Sequence, residues 1–138
     1  MKNKISRVAV ILALAFAAPA LAHHAVQAEF DFAKTITMSG AITRVELINP
    51  HGYMYLDVKD DSGKVTKWAF ELLGQQALHK AGLGRGSGAM KPGDVITIVA
   101  QPAKDGTNQG LLKSIKLPDG REFTLFVRDP NEVPDAAK

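Results

Sequence analysis

Apolar side chains recur at every second position in several short stretches of this chain, and turn residues separate the stretches. A period of two is typical of β-strands that bury one face. We find no internal repeat and no heptad pattern. The pattern predicts strands over residues 34–48, 53–58, 68–72, 95–100, 111–117 and 123–127.

The first predicted strand is long and contains an irregularity. Its apolar face changes phase between Ile42 and Val45, which indicates one inserted residue near Thr43 and Arg44. Such a shift within a strand predicts a β-bulge, and Gly40 offers a bend next to it. We therefore expect a bent first strand.

Turn residues and one helical stretch complete the pattern. Apolar residues at helical spacing from Leu73 to Ala81, followed by Gly82, predict one short helix. Clusters of Asp, Pro, Ser and Gly predict tight turns between the strands. These clusters are Asp60–Gly63, Lys91–Asp94 and Pro118–Gly120.

The order of elements is three strands, a helix, two strands and a further short strand. This order predicts an all-β fold with one short helix, a small OB-type β-barrel, and a helix after the third strand is its most specific feature. A small sandwich or a half-open β-roll is the alternative. The expected buried residues include Ile42, Leu56, Trp68, Phe70, Ile98 and Ile115.

The first 22 residues have the pattern of a cleavable export signal. Basic residues precede an apolar run from Val8 to Ala18, and small residues at Ala20 and Ala22 suit a signal peptidase. A membrane anchor is the alternative, but the run is shorter than the roughly 20 residues that span a bilayer. We expect a periplasmic or secreted protein with no membrane insertion after cleavage. The predicted division is signal 1–22, N-terminal arm 23–33, barrel 34–128 and tail 129–138.

The composition limits the classes of partner and of chemistry that we expect for this protein. Removing residues 1–22 leaves 116 of the 138 residues, the size of one domain. The signal takes three of the 17 Lys and Arg and none of the 14 Asp and Glu, so the remaining formal charge is zero. We therefore predict no nucleic-acid partner, because no net positive field would attract it. The chain has no cysteine, which excludes thiol chemistry.

Histidine carries the candidate chemistry. Cleavage after Ala22 would place an α-amine and an imidazole together on His23, next to His24, and His51 lies in the loop after the first strand. Nitrogen-rich sites favour copper(II), with zinc less well suited, so we predict a metal site of His23, His24 and His51. Cleavage after Ala20 would also leave a copper-binding start. His79, off the apolar helix face, is expected to be a solvated surface residue.

Each histidine also has a purely structural interpretation. The pair is equally consistent with a solvated tail, and Asn49-Pro50-His51 with a tight turn whose histidine caps backbone groups. The first strand would run about 45 Å if straight, so the arm must fold back for the three histidines to meet. Val26 and Phe30 are candidates to dock the arm on the barrel, and Glu29 or Asp31 to accept a hydrogen bond from an imidazole. Ordinary packing or surface charge is the alternative for each of them.

Several stretches together resemble a known family. They are His23–Asp31, Ile42–Glu46, Asn49–His51, Trp68–Glu71 and Lys91–Asp94, and they are similar to the exported bacterial domain of unknown function 6152. The resemblance implies a signal peptide directly before the paired histidines and a small OB-like barrel. It implies no activity.

Two functions of different classes follow. The chain is either a non-enzymatic periplasmic metal-binding protein, with copper the first choice, or a module that binds a small ligand or a partner protein on the barrel face near Tyr53, Tyr55 and His51. A redox enzyme similar to the histidine-brace oxygenases ranks third, because no broad substrate surface is evident. The sequence leaves the oligomeric state open.

Overall fold

The computed structural model describes residues 26–125. Residues 26–29 form one helical turn. Six strands and one further short helix follow. They are β1 (Ile36–Glu46), β2 (Tyr53–Lys59), β3 (Val65–Glu71), the helix Gln75–Lys80, β4 (Val95–Pro102), β5 (Gln109–Lys116) and β6 (Glu122–Thr124).

The strands form a closed five-stranded barrel, which confirms the predicted fold class. The sheet order is β3-β2-β1-β4-β5-β6, and a parallel pairing between β3 and β5 closes the ring. That closing contact is short, since it joins only Ala69, Phe70 and Glu71 to the start of β5. The short strand β6 extends the sheet from β5.

The predicted irregularity in the first strand is confirmed. The pairing of β1 with β2 changes register between Ile42 and Arg44, so Thr43 is the extra residue of a β-bulge. The Thr43 hydroxyl donates a hydrogen bond of 3.2 Å to the carbonyl of Tyr55 on β2. The bend lets β1 pair with β2 through its second half and with β4 through its first half.

The turns form where the sequence predicts them. Between β2 and β3, Oδ1 of Asp60 accepts hydrogen bonds from Ser62 and Lys64, and Gly63 has a positive φ of 88°. Such a backbone angle favours glycine. Gly93 likewise has a positive φ, of 94°, in the turn before β4.

One apolar core fills the barrel. Five of the six residues predicted to be buried are fully buried, namely Ile42, Leu56, Phe70, Ile98 and Ile115. Trp68 is only partly buried and stacks on Phe70, with ring centroids 5.8 Å apart. In the short helix Leu78 is buried and Ala77 is exposed, so Ala77 does not lie on the buried face that its apolar spacing predicted.

The described part of the N-terminal arm packs against the barrel. Phe30 is fully buried in a second cluster with Ala103 and Leu111, and it pairs with Ala103 as an isolated antiparallel bridge. The amide of Lys104 donates to the carbonyl of Glu29 over 2.9 Å. The arm therefore continues the edge of the sheet beyond the end of β4, where Phe30 docks it as expected.

Within residues 26–125, no helix is long and apolar enough to cross a membrane. The predicted signal peptide, the first residues of the predicted arm, the last residues of the predicted barrel and all of the predicted C-terminal tail lie outside this part of the chain. The boundaries assigned to these segments stay predictions.

Candidate functional site

The loop that joins β1 to β2 is fastened to the start of the short helix. Oδ1 of Asn49 accepts a hydrogen bond of 3.0 Å from the amide of Gln75. The helix has Gly74 at its N-cap and therefore no capping side chain of its own, so Asn49 satisfies one of its free N–H groups. An added Cβ on Gly74 would lie 2.5 Å from the carbonyl oxygen of Pro50, which shows how closely the two segments pack.

Backbone hydrogen bonds hold the other end of the same loop. Gly52 donates to Leu73 over 3.1 Å and accepts from Leu72 over 2.8 Å. His51 therefore lies between two residues that hydrogen bonds hold in place. Asn49 is bonded to the short helix, and Gly52 is bonded to the segment that follows β3. The peptide bond between Asn49 and Pro50 is cis.

His51 contacts a buried carboxylate. Its Nδ1 atom lies against Oε1 of Glu71, the last residue of β3. The Glu71 side chain is 8% exposed and the His51 side chain 37%. The pairing of Tyr53 with Glu71 explains the contact, because it brings the residues just before β2 beside the end of β3. One imidazole nitrogen is thus engaged by a carboxylate, while the ring as a whole still reaches solvent.

Two groups beside His51 have shifted proton affinities. Burial raises the pKa of Glu71; contact with His51 opposes the shift and the carboxylate of Glu29 adds to it. Burial also raises the pKa of Tyr53, and the charges of Glu71 and Glu29 raise it further. The carboxylate of Glu29, on the arm, is thus one cause of both shifts.

The pairing of the strands explains why the N-terminal arm lies near Glu71. Leu111 at the start of β5 pairs with Glu71, and the same Leu111 packs on Phe30. The arm is therefore separated from Glu71 by a single strand. Closure of the barrel through β3 and β5 therefore brings the described part of the arm, from residue 26 onwards, towards the end of β3.

Of the three predicted metal ligands, the structure describes one. His51 lies in the loop expected for it, whereas His23 and His24 lie outside the described residues, so their convergence stays a prediction. Residues 26–125 contain no group of three His, Asp or Glu side chains that could hold a metal ion. His79 is exposed, as expected.

The sequence analysis assigned no role to the residue that contacts His51. Glu71, and neither Glu29 nor Asp31, contacts the imidazole. Asp31 instead forms an ion pair with Lys34 at 3.2 Å. The available signal was the run Trp68-Ala69-Phe70-Glu71, in which an acidic residue ends a strand that is otherwise largely apolar.

The five-stranded barrel, closed by the parallel pairing of β3 with β5 and carrying a short helix after β3, belongs to the class of OB-type barrels. Two crystal structures of Rim1, a mitochondrial single-stranded DNA binding protein from S. cerevisiae, are similar to this chain with TM-scores of 0.47 and 0.46. Their identities are 12% and 13%, and each match covers 62% of this chain and 94% of the other. At such identities the likeness describes the fold alone.

The chain belongs to the Family of unknown function (DUF6152), whose model matches residues 11–113. This match confirms the resemblance found in the sequence. No curated protein matches the chain. The protein is thus a small β-barrel of a family whose function is not established.

One prediction from the sequence is wrong. A formal charge of zero led us to exclude a nucleic-acid partner, but both of these fold neighbours are single-stranded DNA binding proteins. The exclusion failed because net charge averages over the whole surface, whereas OB-type barrels bind ligands through one local face.

Proposed function

We propose that this protein is an exported, non-enzymatic binding protein that holds copper(II), with zinc the second choice, through His51, His23 and His24. The contact between His51 and Glu71 is the main support. Histidines that bind metals usually donate their other ring N–H to a carboxylate, which fixes the tautomer and orients the ring. With Nδ1 held by Glu71, Nε2 is the nitrogen left for a metal.

The position of the arm supports participation of the N-terminal histidines. Phe30 packs on Leu111, which pairs with Glu71, so the arm runs near the site that contains His51. His24 precedes Glu29 by five residues, a length of chain that reaches at most about 18 Å. A segment of this length is compatible with His24 and His51 binding the same metal ion.

The set of donors favours copper(II). A chain that begins at His23 offers an α-amine and an imidazole on one residue, and His24 and His51 add further imidazoles. Nitrogen donors in a tetragonal arrangement suit copper(II), which also binds more tightly than zinc under the usual affinity order. We assign no chemical step to the site.

A copper titration compares His51→Ala with His79→Ala in the processed protein. Copper(II) is added at fixed pH while its d–d absorption and EPR signal are recorded, because imidazole must lose its proton to bind. Losing His51 should weaken binding at least about tenfold, about 1.4 kcal/mol, and losing the exposed His79 should leave it unchanged. Equal affinities of the two variants would mean that the N-terminal residues bind copper alone.

Export has a separate test. The protein is isolated from a periplasmic extract and its N-terminus is sequenced. We expect the sequence to begin at His23. Retention of Met1 would contradict both export and the terminal chelate.

A second candidate function is the binding of a small organic ligand on the outer face of the barrel. It is favoured by a groove beside Tyr55, on the face that the sequence singled out. This function is compatible with metal binding, because the groove and His51 occupy different places.

A further inference from the structure

A groove with both polar and apolar lining residues lies on the outer face of β1, β2 and β3. Its volume is about 280 Å³, near the lower end of the roughly 300–1,000 Å³ of small-molecule pockets. The bulge at Thr43 bends β1 over the middle of β2 and so helps to shape the concave face. Its polar and aromatic lining residues are Thr43, Arg44, Tyr55, Asp57, Lys67, Trp68 and Asn108.

A fixed planar group forms one wall of the groove. The guanidinium of Arg44 lies over the Tyr55 ring, 4.1 Å from its centroid, and is also paired with Glu46 at 3.0 Å. The Tyr55 hydroxyl donates to the same Glu46 carboxylate over 3.3 Å. Three mutual contacts hold these side chains in place, so the wall is organised before any ligand arrives.

An unsatisfied acceptor lies at the opposite side of the groove. Oδ1 of Asp57 is buried and accepts no hydrogen bond from the described residues. The nearest cation is Nζ of Lys67 at 3.6 Å, beyond hydrogen-bond distance, on a side chain that is 86% exposed. A buried acceptor without a donor is destabilising, so a ligand hydroxyl that displaces the Lys67 ammonium and donates to this oxygen would be stabilising.

Asn108 adds an amide to this edge of the groove. Its backbone carbonyl accepts a hydrogen bond of 3.1 Å from Ala69 on β3, which fixes its position beside the strand. An amide side chain both donates and accepts hydrogen bonds. The groove therefore combines a carboxylate acceptor, an amide and an aromatic wall covered by a guanidinium.

The charges in the groove are balanced. Arg44 is paired with Glu46, and Lys67 is adjacent to Asp57. We propose that this groove binds a neutral, polyhydroxylated ligand, a saccharide. Its hydroxyl groups donate to Asp57 and exchange hydrogen bonds with Asn108, while one sugar ring lies against the wall formed by Arg44 and Tyr55. The site is independent of the metal site proposed at His51.

The test is an NMR titration of the isotope-labelled protein in the presence of a chelator, so that the metal site plays no part. The probes are maltotriose and triacetylchitotriose, with a single-stranded oligothymidylate as the anionic comparison. We expect saturable shifts of the backbone amides of Thr43, Tyr55, Lys67 and Asn108 with at least one saccharide. Absence of saturable shifts with both saccharides would overturn the proposal, as would shifts at these amides with the oligothymidylate alone.

Matched variants locate the binding. Asp57→Asn keeps the shape of the side chain and removes the carboxylate, so it should weaken saccharide binding about tenfold or more. Asp61→Asn, in the exposed turn between β2 and β3, should leave the affinity unchanged. Equal affinity of the two variants would show that ligand binding does not depend on the Asp57 carboxylate and would overturn the site as described.

Discussion

His51 and Glu71 lie in direct contact, Nδ1 against Oε1, at the point where the β1–β2 loop meets the end of β3. Glu71 follows the inward-facing Phe70, so it lies on the outer face of the sheet, and yet it is buried. The pairing of β2 with β3 places the carboxylate beside the imidazole. A histidine held in this way has one ring nitrogen engaged and the other available.

The first prediction concerns this contact. Glu71→Gln should weaken copper(II) binding about tenfold, because loss of the carboxylate partner of a ligating imidazole typically costs 10–100-fold in affinity. The measurement is the same absorption titration at fixed pH. Glu122→Gln on β6, where the carboxylate is exposed and paired with Lys116, is the control and should bind as the unchanged protein does. Similar affinities of both variants would remove Glu71 from the site.

The second prediction concerns the docking of the N-terminal arm. Phe30→Ala should lower the free energy of unfolding by about 3–5 kcal/mol, because Phe30 is fully buried against Ala103 and Leu111. Val65→Ala is the control, since Val65 is 51% exposed and should change stability by less than about 0.5 kcal/mol. Chemical denaturation measures both. A small effect of Phe30→Ala would show that the arm is not part of the cooperative unit.

The third prediction concerns the turn between β2 and β3. The hydrogen bond from the Ser62 hydroxyl is the main cause that lowers the pKa of Asp60 below 3.8, and backbone N–H groups add to it. A lowered pKa in the folded state means that ionised Asp60 stabilises the fold above about pH 3.8, its ordinary value. This contribution is lost as the pH falls through the folded pKa.

An NMR pH titration of the Asp60 carboxyl group measures this effect. Its midpoint should lie below 3.8 and should move up towards that value in Ser62→Ala. Ser87→Ala, in the loop after the short helix, should leave the midpoint unchanged. A midpoint that is the same in Ser62→Ala as in the original protein would contradict the assigned cause.

Most of the architecture could be predicted from the sequence. The phase change between Ile42 and Val45 predicted the bulge at Thr43, and Asp60–Gly63 predicted the turn that follows β2. These features are local, since the residues that cause them are within a few positions of one another. Period-two alternation likewise identified buried residues such as Leu56 and Ile98 before any partner strand was known.

The candidate site could be predicted only in part. The sequence identified His51 and its loop, but it gave Glu71 no role, because an acidic residue at the end of a strand is ordinarily solvated. It likewise could not predict that Asn49 caps the short helix, since the two segments are 26 positions apart. The sequence also placed Trp68 among the buried residues, whereas the structure leaves it half-buried beside Phe70.

By itself, then, the sequence determined the strands, their inward faces and the turns, because periodicity and backbone preferences act over a few residues. Only the tertiary structure decided which side chains meet across the barrel. The parallel contact between β3 and β5 brings Phe30 within one strand of Glu71, and the register of β2 with β3 sets His51 against that carboxylate. Such contacts depend on strand order and register over long separations, and barrel closure fixes them for all strands together.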